Sequence, residues 1–383
     1  MAAENPFVYG EIVPRSAFVD REAELERLIA DLNDGQKIFL ISPRRYGKSS
    51  LVRQALTALD RQGMTTLEIT VSSFSSYVAF LEGYTKALAA LDTRAGRARS
   101  WLRDLFTGVK PELRVEAGAD GAGLSVAFPS VRTARDAARL AEDVFALPAR
   151  IATRLHRRLA IAFDEFQAIG SYNGGSVEQA LRAAVQQQRQ VGYVFAGSEP
   201  SLMEQMIGPR RPFYKAGPVM RLGKIPPEIF ASFVDERFRR SGLSPESGFG
   251  AAIVDLAGNL PYDVQRLAHE TWDDATRARQ RRIGFEDLHS TLHRLLAEQD
   301  TFFEAIWQRL TLAQRAVLRT VVIEHGLEIL GAETRDRHRL GGASSVQAAL
   351  GALQRLDVVA REDDGRYVVV DSLMREWVAR KTY

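Results

Sequence analysis

The stretch "KIFLISPRRYGKSSLV", Lys37 to Val52, restricts the fold of this chain more than any other segment. Its first part, "KIFLIS", is an apolar run of strand length that leads into a loop carrying Pro43 and Gly47. "SLVRQALTALDRQG" then returns to helical spacing and stops at Gly63. "TTLEITVSS" reads as a second strand. Strand, helix and strand in that order form a βαβ unit, whose strands are parallel and covered by helices.

The loop also carries chemistry. Ser42-Pro43-Arg44-Arg45-Tyr46-Gly47-Lys48-Ser49 fits the phosphate-binding form G-x-x-x-x-G-K-[ST] at every position except the first. In such a loop backbone N–H groups wrap the β-phosphate, with a helix N-terminus behind them. Gly47 allows close approach of the backbone, where a side chain is expected to collide with phosphate. Lys48 is expected to reach the β- and γ-phosphates, and the Ser49 hydroxyl to ligate Mg²⁺. The first position mainly helps the chain turn out of the strand, which Ser42 followed by Pro43 can do. The expected nucleotide-contacting run extends through Ser50.

A second element supplies the partners such a loop requires. "LAIAFDE", Leu159 to Glu165, is an apolar strand ending in two acids, the Walker B form. Asp164 is the expected Mg²⁺ residue, acting through water, and Glu165 the expected general base. Taken alone the segment reads equally well as a buried strand ending in an acidic turn. The phosphate loop upstream decides for the functional reading. The next strand, "GYVFAGS", ends in Ser198, which either positions the attacking water or caps the helix that follows.

Around these motifs, "REAELERLIADLN" carries Leu25, Leu28, Ile29 and Leu32 at helical spacing. Residues 75–105 read as mostly helical. "ELRVEAGADGAGLSVAFP" has two alternating runs about a Gly-rich turn, a β-hairpin insertion over about 111–129. A long helix over about 133–156 precedes the Walker B strand, and "PVMRLGKI" offers a fifth strand. From Pro227 to about Leu296 the pattern is all helix, with a break at "GNLPYD". Two helices and a turn then precede "VVAREDDGRYVVVD", two strands around Asp-Asp-Gly, and a last helix, which is the order of a winged helix-turn-helix. A chain of 383 residues allows two or three domains. The expected division is 1–225, 226–298 and 299–383.

Composition closes off other chemistry. There is no cysteine, which excludes disulfides and thiolate zinc sites. His289 and His293 stand i, i+4 and read as a solvated helix face rather than a metal site. No apolar run approaches the roughly 20 residues of a membrane helix. The N-terminus has no basic segment followed by an apolar one, so a soluble cytoplasmic protein without membrane contact is expected. The net charge of +3 permits a nucleic-acid partner without arguing for one.

Taken in order, "FVDREAELERL", "SPRRYGKSSLV", "AFDEFQAI", "VFAGSEPSLM", "RPFYK", "GNLPYDVQRLAHETW" and "YVVVDSLMREWVAR" resemble the archaeal-type ATPase family. This is a prokaryotic group within the AAA+ and STAND P-loop ATPases, related to the origin-recognition ATPases. The resemblance covers nearly the whole chain. It implies an α/β protein with an ASCE-type αβα core, a helical lid, a C-terminal winged helix, and ATP or ADP with Mg²⁺ as ligands. The family's phosphate lysine falls on Lys48, its magnesium hydroxyl on Ser49, its Walker B acids on Asp164 and Glu165, and its sensor 1 on Ser198. A serine at position 42 is a common form in the family. The usual Phe-Val-Gly-Arg-Glu is here Phe18-Val19-Asp20-Arg21-Glu22, with backbone near Val19 expected along the adenine and Asp20 as an N-cap. The Gly-x-Pro lid motif is met loosely by Gly258-Asn259-Leu260-Pro261, which makes Pro261 the expected lid contact. An arginine finger would come from another subunit or domain; Arg182, Arg210 and Arg211 are the candidates, with Arg211 preferred.

Two readings of the C-terminal module stay open. In the first, it binds duplex DNA through residues 335–366, using Arg335, Arg337, His338 and Arg339 beside the recognition helix "SSVQAALGALQRL". That helix offers only Ser344, Ser345, Gln347, Gln354 and Arg355, and Glu362, Asp363 and Asp364 at the wing tip would repel phosphate. Residues 277–383 hold 17 basic and 15 acidic residues, a net +2. In the second reading the chain is a STAND-type signalling or defence ATPase. Its winged helix is then a module for protein interaction and homo-oligomerisation, which the acidic wing suits. Fold alone does not choose between them. A metabolic kinase would leave the winged helix without a role.

Overall fold

In the strand Lys37–Ile41 (β1), Ile38 and Leu40 belong to one hydrophobic cluster, Phe39 and Ile41 to another, and all four are buried. A strand whose alternate residues are all apolar must be covered on both faces. The computed structural model describes residues 4–11, 13–14, 18–91, 106, 111–118, 121–172, 175–362 and 364–381. They divide into two compact units, Ile12–Lys224 and Met1–Glu11 with Ile225–Tyr383.

The first unit is built on strands β1, β2 (Thr65–Thr70), β5 (Leu159–Asp164), β6 (Val191–Gly197) and β7 (Val219–Arg221), with β3 (Glu112–Gly118) and β4 (Gly121–Ala127) forming a separate antiparallel hairpin. The main sheet has the order β2-β5-β6-β1-β7 and every pair in it is parallel. Helices α1 (Glu22–Asn33) and α2 (Lys48–Arg61) cover the face bearing Ile38 and Leu40, where the neighbouring strands present Ala160, Ala162 and Ala196. Small side chains let these helices lie close. Gly192 belongs to the same closeness, since a Cβ there would stand 2.2 Å from the Leu32 carbonyl oxygen. The opposite face is aromatic. Phe163, Tyr193 and Phe195 stand with ring planes within 4° of parallel, under α3 (Tyr77–Ala89), α4 (Ala134–Leu155) and α5 (Gly175–Gln187). The αβα layering, the hairpin and the fifth strand agree with the sequence reading. Residues 92–105 of the helical stretch expected over 75–105 lie outside the described residues.

This topology positions the site. The strand β6 separates β1 from β5, and the register pairs Ile41 with Gly197 and Phe163 with Phe195. The next residues in each chain direction, Ser42, Ser198 and Asp164, therefore emerge at one C-terminal edge. The short helix α6 (Pro200–Ile207) follows β6.

The second unit begins with the N-terminal residues. A core domain of 1–225 was expected, but residues 5–9 pack with helices from beyond 225. Phe7 is buried with its ring 4.7 Å from that of Phe238, and the Tyr9 hydroxyl donates to Glu270 Oε1 at 2.6 Å. Helices α7 (Pro227–Arg240), α8 (Phe249–Leu256), α9 (Pro261–Arg277) and α10 (Phe285–Arg309) follow, joined by the short parallel pair β8 (Ser244–Pro245) and β9 (Arg282–Ile283). The expected boundary at 298/299 falls inside α10, one unbroken helix: Glu298, Gln299 and Asp300 carry neither a cap nor a breaker. Its C-terminal half packs into the winged helix through Phe303 and Trp307, each with its ring centroid 5.9 Å from that of Trp377. The module itself is α11 (Leu312–Ile323), α12 (Ala332–Arg337), α13 (Ala343–Arg355), the antiparallel hairpin β10 (Val359–Arg361) and β11 (Tyr367–Val369), and α14 (Ser372–Arg380). Asp363, at the wing tip, lies outside the described residues. Among the described residues no helix is long and apolar enough to cross a membrane.

Candidate active site

The phosphate loop ends where α2 begins. Gly47 is the N-cap of that helix at φ 88°, and Arg45 two residues earlier also sits in the left-handed region at φ 69°. A Cβ at Gly47 would meet nothing within 4 Å, so within the protein it is the left-handed backbone that asks for glycine here. Ser42 is not one of the left-handed residues. It is fully buried, its N–H donates to the Gly197 carbonyl at 3.2 Å, and its hydroxyl donates to the Pro43 carbonyl at 3.1 Å. The glycine missing from the motif is missing where this backbone does not need one.

Four predicted residues converge at the sheet edge. Lys48, buried at the start of α2, donates its ammonium to Asp164 Oδ1 and lies 3.7 Å from Glu165 Oε1. The Ser49 hydroxyl donates to Asp164 Oδ2 at 3.1 Å. Glu165 leaves β5 in a left-handed conformation, φ 51°, ψ 44°, with its N–H on Asp164 Oδ1 at 3.0 Å. Such conformations in a non-glycine residue concentrate at functional sites. The Ser198 hydroxyl donates to Glu165 Oε2 at 2.5 Å. The N-cap of α6 is Glu199, so helix capping is not what Ser198 does. One ammonium thus stands between two carboxylates. The Ser49 hydroxyl and Asp164 carboxylate are hard oxygen donors and few. Among the described residues no group of three or more His, Cys, Asp or Glu side chains forms a metal cage of its own. This suits Mg²⁺, which keeps waters and phosphate oxygens and takes one or two protein oxygens.

The other predicted residues are dispersed. Val19 is half-buried near the start of α1. Asp20 is not the N-cap of α1. Arg21 is, while Asp20 lies at φ 49°, a conformation open to glycine without strain, which accounts for the usual residue at this position. Arg211 donates to Glu178 Oε1 at 2.5 Å, and the Glu178 side chain is fully buried. Burial pushes the Glu178 carboxyl up, and Arg211 opposes that shift. Arg210 is left-handed at φ 68°, and the charge of Arg182 joins burial in pushing the Lys37 ammonium down. Pro261 opens α9 in the second unit, after left-handed Gly258 and Asn259. That turn is held from the C-terminus. Arg375 of α14 donates to the carbonyls of Asp255 at 3.2 Å and Leu256 at 3.0 Å, and the Ser372 N–H reaches Asp263 Oδ2 at 3.4 Å. Sequence reasoning missed Gln167, Glu178 and Arg375. Only Gln167 carries a local signal, as a polar residue one turn past two acids in an otherwise apolar segment.

In the winged helix two members of the basic run, Arg337 and His338, are engaged by acids of the same unit, while Arg339 is exposed. Arg337 pairs with Glu324 at 3.1 Å and Glu333 at 2.7 Å, and His338 Nε2 meets Glu324 at 2.6 Å. His338 and Arg337 hold the Glu324 carboxyl below the usual carboxylate range. Arg335 donates to the Leu330 carbonyl at 3.1 Å. At the wing Arg366 pairs with Asp364 at 2.6 Å and lies 3.7 Å from Glu362. Along α13, Ser344, Ser345, Gln347, Gln354 and Arg355 are exposed.

With this geometry in place, comparison with known proteins is informative about the fold. A family described as "Probable winged helix domain" matches residues 301–380. The chain is similar to the structure of the Walker-type ATPase PABY2304 of Pyrococcus abyssi, at 16% identity over 96% of this chain and 99% of that one, with a TM-score of 0.62. It is also similar to the ORC1 protein of Aeropyrum pernix, solved in complex with DNA, at 16% identity over 97% and 95% of the two chains, with a TM-score of 0.52. A search of curated proteins by sequence found no match. The fold is that of a P-loop ATPase with a C-terminal winged helix domain. This agrees with the archaeal-type ATPase resemblance of the motifs.

Proposed function

We propose that the first unit binds ATP with Mg²⁺ at the edge formed by residues 42–50 and hydrolyses it. The observation that carries this reading is the convergence of Lys48 and Ser49, at the start of the helix that follows β1, with Asp164 and Glu165 at the end of β5, although β6 lies between the two strands. Lys48 transfers its hydrogen bonds from Asp164 to the β- and γ-phosphates. Ser49 and Asp164 hold Mg²⁺, which when bound neutralises developing charge between those phosphates. Glu165 takes a proton from the attacking water. Backbone N–H groups at the start of α2 cradle phosphate. The backbone near Val19 lies along the nucleotide base. Arg211, to act as a finger, would have to give up Glu178. The test is a pair of variants. Lys48→Ala is expected to lose nucleotide binding in a calorimetric titration, while Glu165→Gln keeps binding and loses turnover. Hydrolysis persisting in Glu165→Gln overturns the assigned base.

The cycle drives the second unit as a switch. Within that unit the C-terminal helix grips the turn before Pro261, the expected lid contact, through Arg375 and Ser372, which ties that turn to the winged helix. For what the winged helix meets, the ion pairs of Arg337 and Arg366 favour a protein surface, in a STAND-type oligomerising ATPase. The DNA reading draws support from the likeness to the ORC1 protein, which was solved bound to DNA. Duplex affinity undetectable near roughly 50 mM salt with ATP present removes the DNA reading, and a steep salt dependence supports it.

A further inference from the structure

We infer that Gln167 is a positioning residue that, together with Ser198, clamps one oxygen of the Glu165 carboxylate so that the other faces the reacting water. The inference rests on the ATPase reading. Gln167 Nε2 donates to Glu165 Oε2 at 2.5 Å, the same oxygen that accepts from Ser198 at 2.5 Å. Lys48 lies at 3.7 Å from the other oxygen, Oε1, so Oε1 is on the phosphate side. Two donors on Oε2 leave Oε1 as the basic atom. The amide orientation follows from charge: its carbonyl would be repelled by the Glu165 carboxylate, so the NH₂ must face it.

That orientation has a consequence. Gln167 is buried and its Oε1 has no hydrogen-bond partner among the described residues. A buried acceptor left unpaired is destabilising, and a fold selected for stability alone would place an apolar side chain here. The amide is closely packed: a Cβ at Gly197 would stand 2.8 Å from Gln167 Oε1, and closer still to Met203. The second proton of Nε2 is only weakly used, with Ser198 Oγ and Glu199 Oε1 each 3.4 Å away. The strong bond goes to Glu165.

The decisive variant is Gln167→Met, which keeps the shape and removes both the donor and the orphan acceptor. The expected result is a thermal midpoint unchanged or raised, MgATP affinity within about twofold, and kcat lowered roughly ten- to a hundredfold, the range of one hydrogen bond to a charged group. A nucleotide-free crystal structure of the variant should show the Glu165 carboxylate rotated off its present position. In a double-mutant cycle with Ser198→Ala the two losses should be less than additive. An unchanged kcat overturns the inference, as does a lowered midpoint with the Glu165 carboxylate unmoved. Should the unaltered chain bind ATP without hydrolysing it, the ATPase reading fails, and the carboxylate position in the variant alone then decides whether Gln167 holds Glu165.

Discussion

The sheet edge of the first unit and the winged helix of the second each carry a dense group of charges, and they treat them in opposite ways. At the edge, buried Lys48 is shared between Asp164 and Glu165, and the acids outnumber the base. At the winged helix, exposed Arg337 meets Glu324 and Glu333, and exposed Arg366 meets Asp364. A half-buried cluster with uneven charge, poorly screened by water, attracts a ligand of opposite charge. A set of exposed pairs is complete in water and contributes little either way. Basic residues in a sequence therefore do not by themselves make a basic surface: what matters is whether the fold has already paired them.

The contrast can be broken or sharpened by substitution. The largest effect on stability is expected at Arg211, the partner of the fully buried Glu178 side chain. Arg211→Met leaves Glu178 buried without its partner and should cost about 2–3 kcal/mol in urea unfolding, on the low side for a buried pair because the guanidinium is 38% exposed. The pH dependence has a definite sign. Burial holds the folded pKa of Glu178 above its unfolded value. Its contribution to stability is therefore full in acid and lost as pH rises through the folded value. The deficit of Arg211→Met should accordingly be larger at neutral pH than toward the carboxylate range, and a deficit independent of pH would assign it to lost packing instead. A smaller effect is expected for Arg375→Ala, which releases the carbonyls of Asp255 and Leu256. About 1–2 kcal/mol should be lost, read as faster amide exchange at the end of α8 and in the turn before Pro261. The smallest is at the winged helix. Glu324→Gln with Glu333→Gln should not move the unfolding midpoint measurably. If the module can face DNA at all, freeing Arg337 should steepen the salt dependence of binding by about one counterion. No change in that slope would keep the winged helix on the side of protein interaction.

Much of the site was legible because its signals are local. An apolar run, a turn and Gly-Lys-Ser before a helical pattern specify strand, loop and helix within a few residues, and "AFDE" specifies a buried strand ending in acids. The hairpin and the winged helix order were legible for the same reason, through turn residues between alternating runs. The start of the winged helix, expected at 299 and matched by the family model from 301, lies within a continuous helix that packs on the preceding helices with one half and on the winged helix with the other, so periodicity does not change where the partner does. The place of residues 5–9 was misread because Phe7 and Tyr9 find their partners more than 200 residues away, at Phe238 and Glu270.

By itself the sequence determined which residues could do nucleotide chemistry and which strands must be buried on both faces, since those follow from side-chain type and short spacing. Only the tertiary structure decided which atoms of those residues face one another. The order β5-β6-β1 brings Asp164, Ser198 and Ser42 to one edge, the left-handed turn at Glu165 lets Gln167 reach back to its carboxylate, and Glu178 takes up Arg211. Hydrogen bonds and ion pairs act over about 3 Å, and the separations along the chain that such a distance has to bridge are set by topology rather than by pattern.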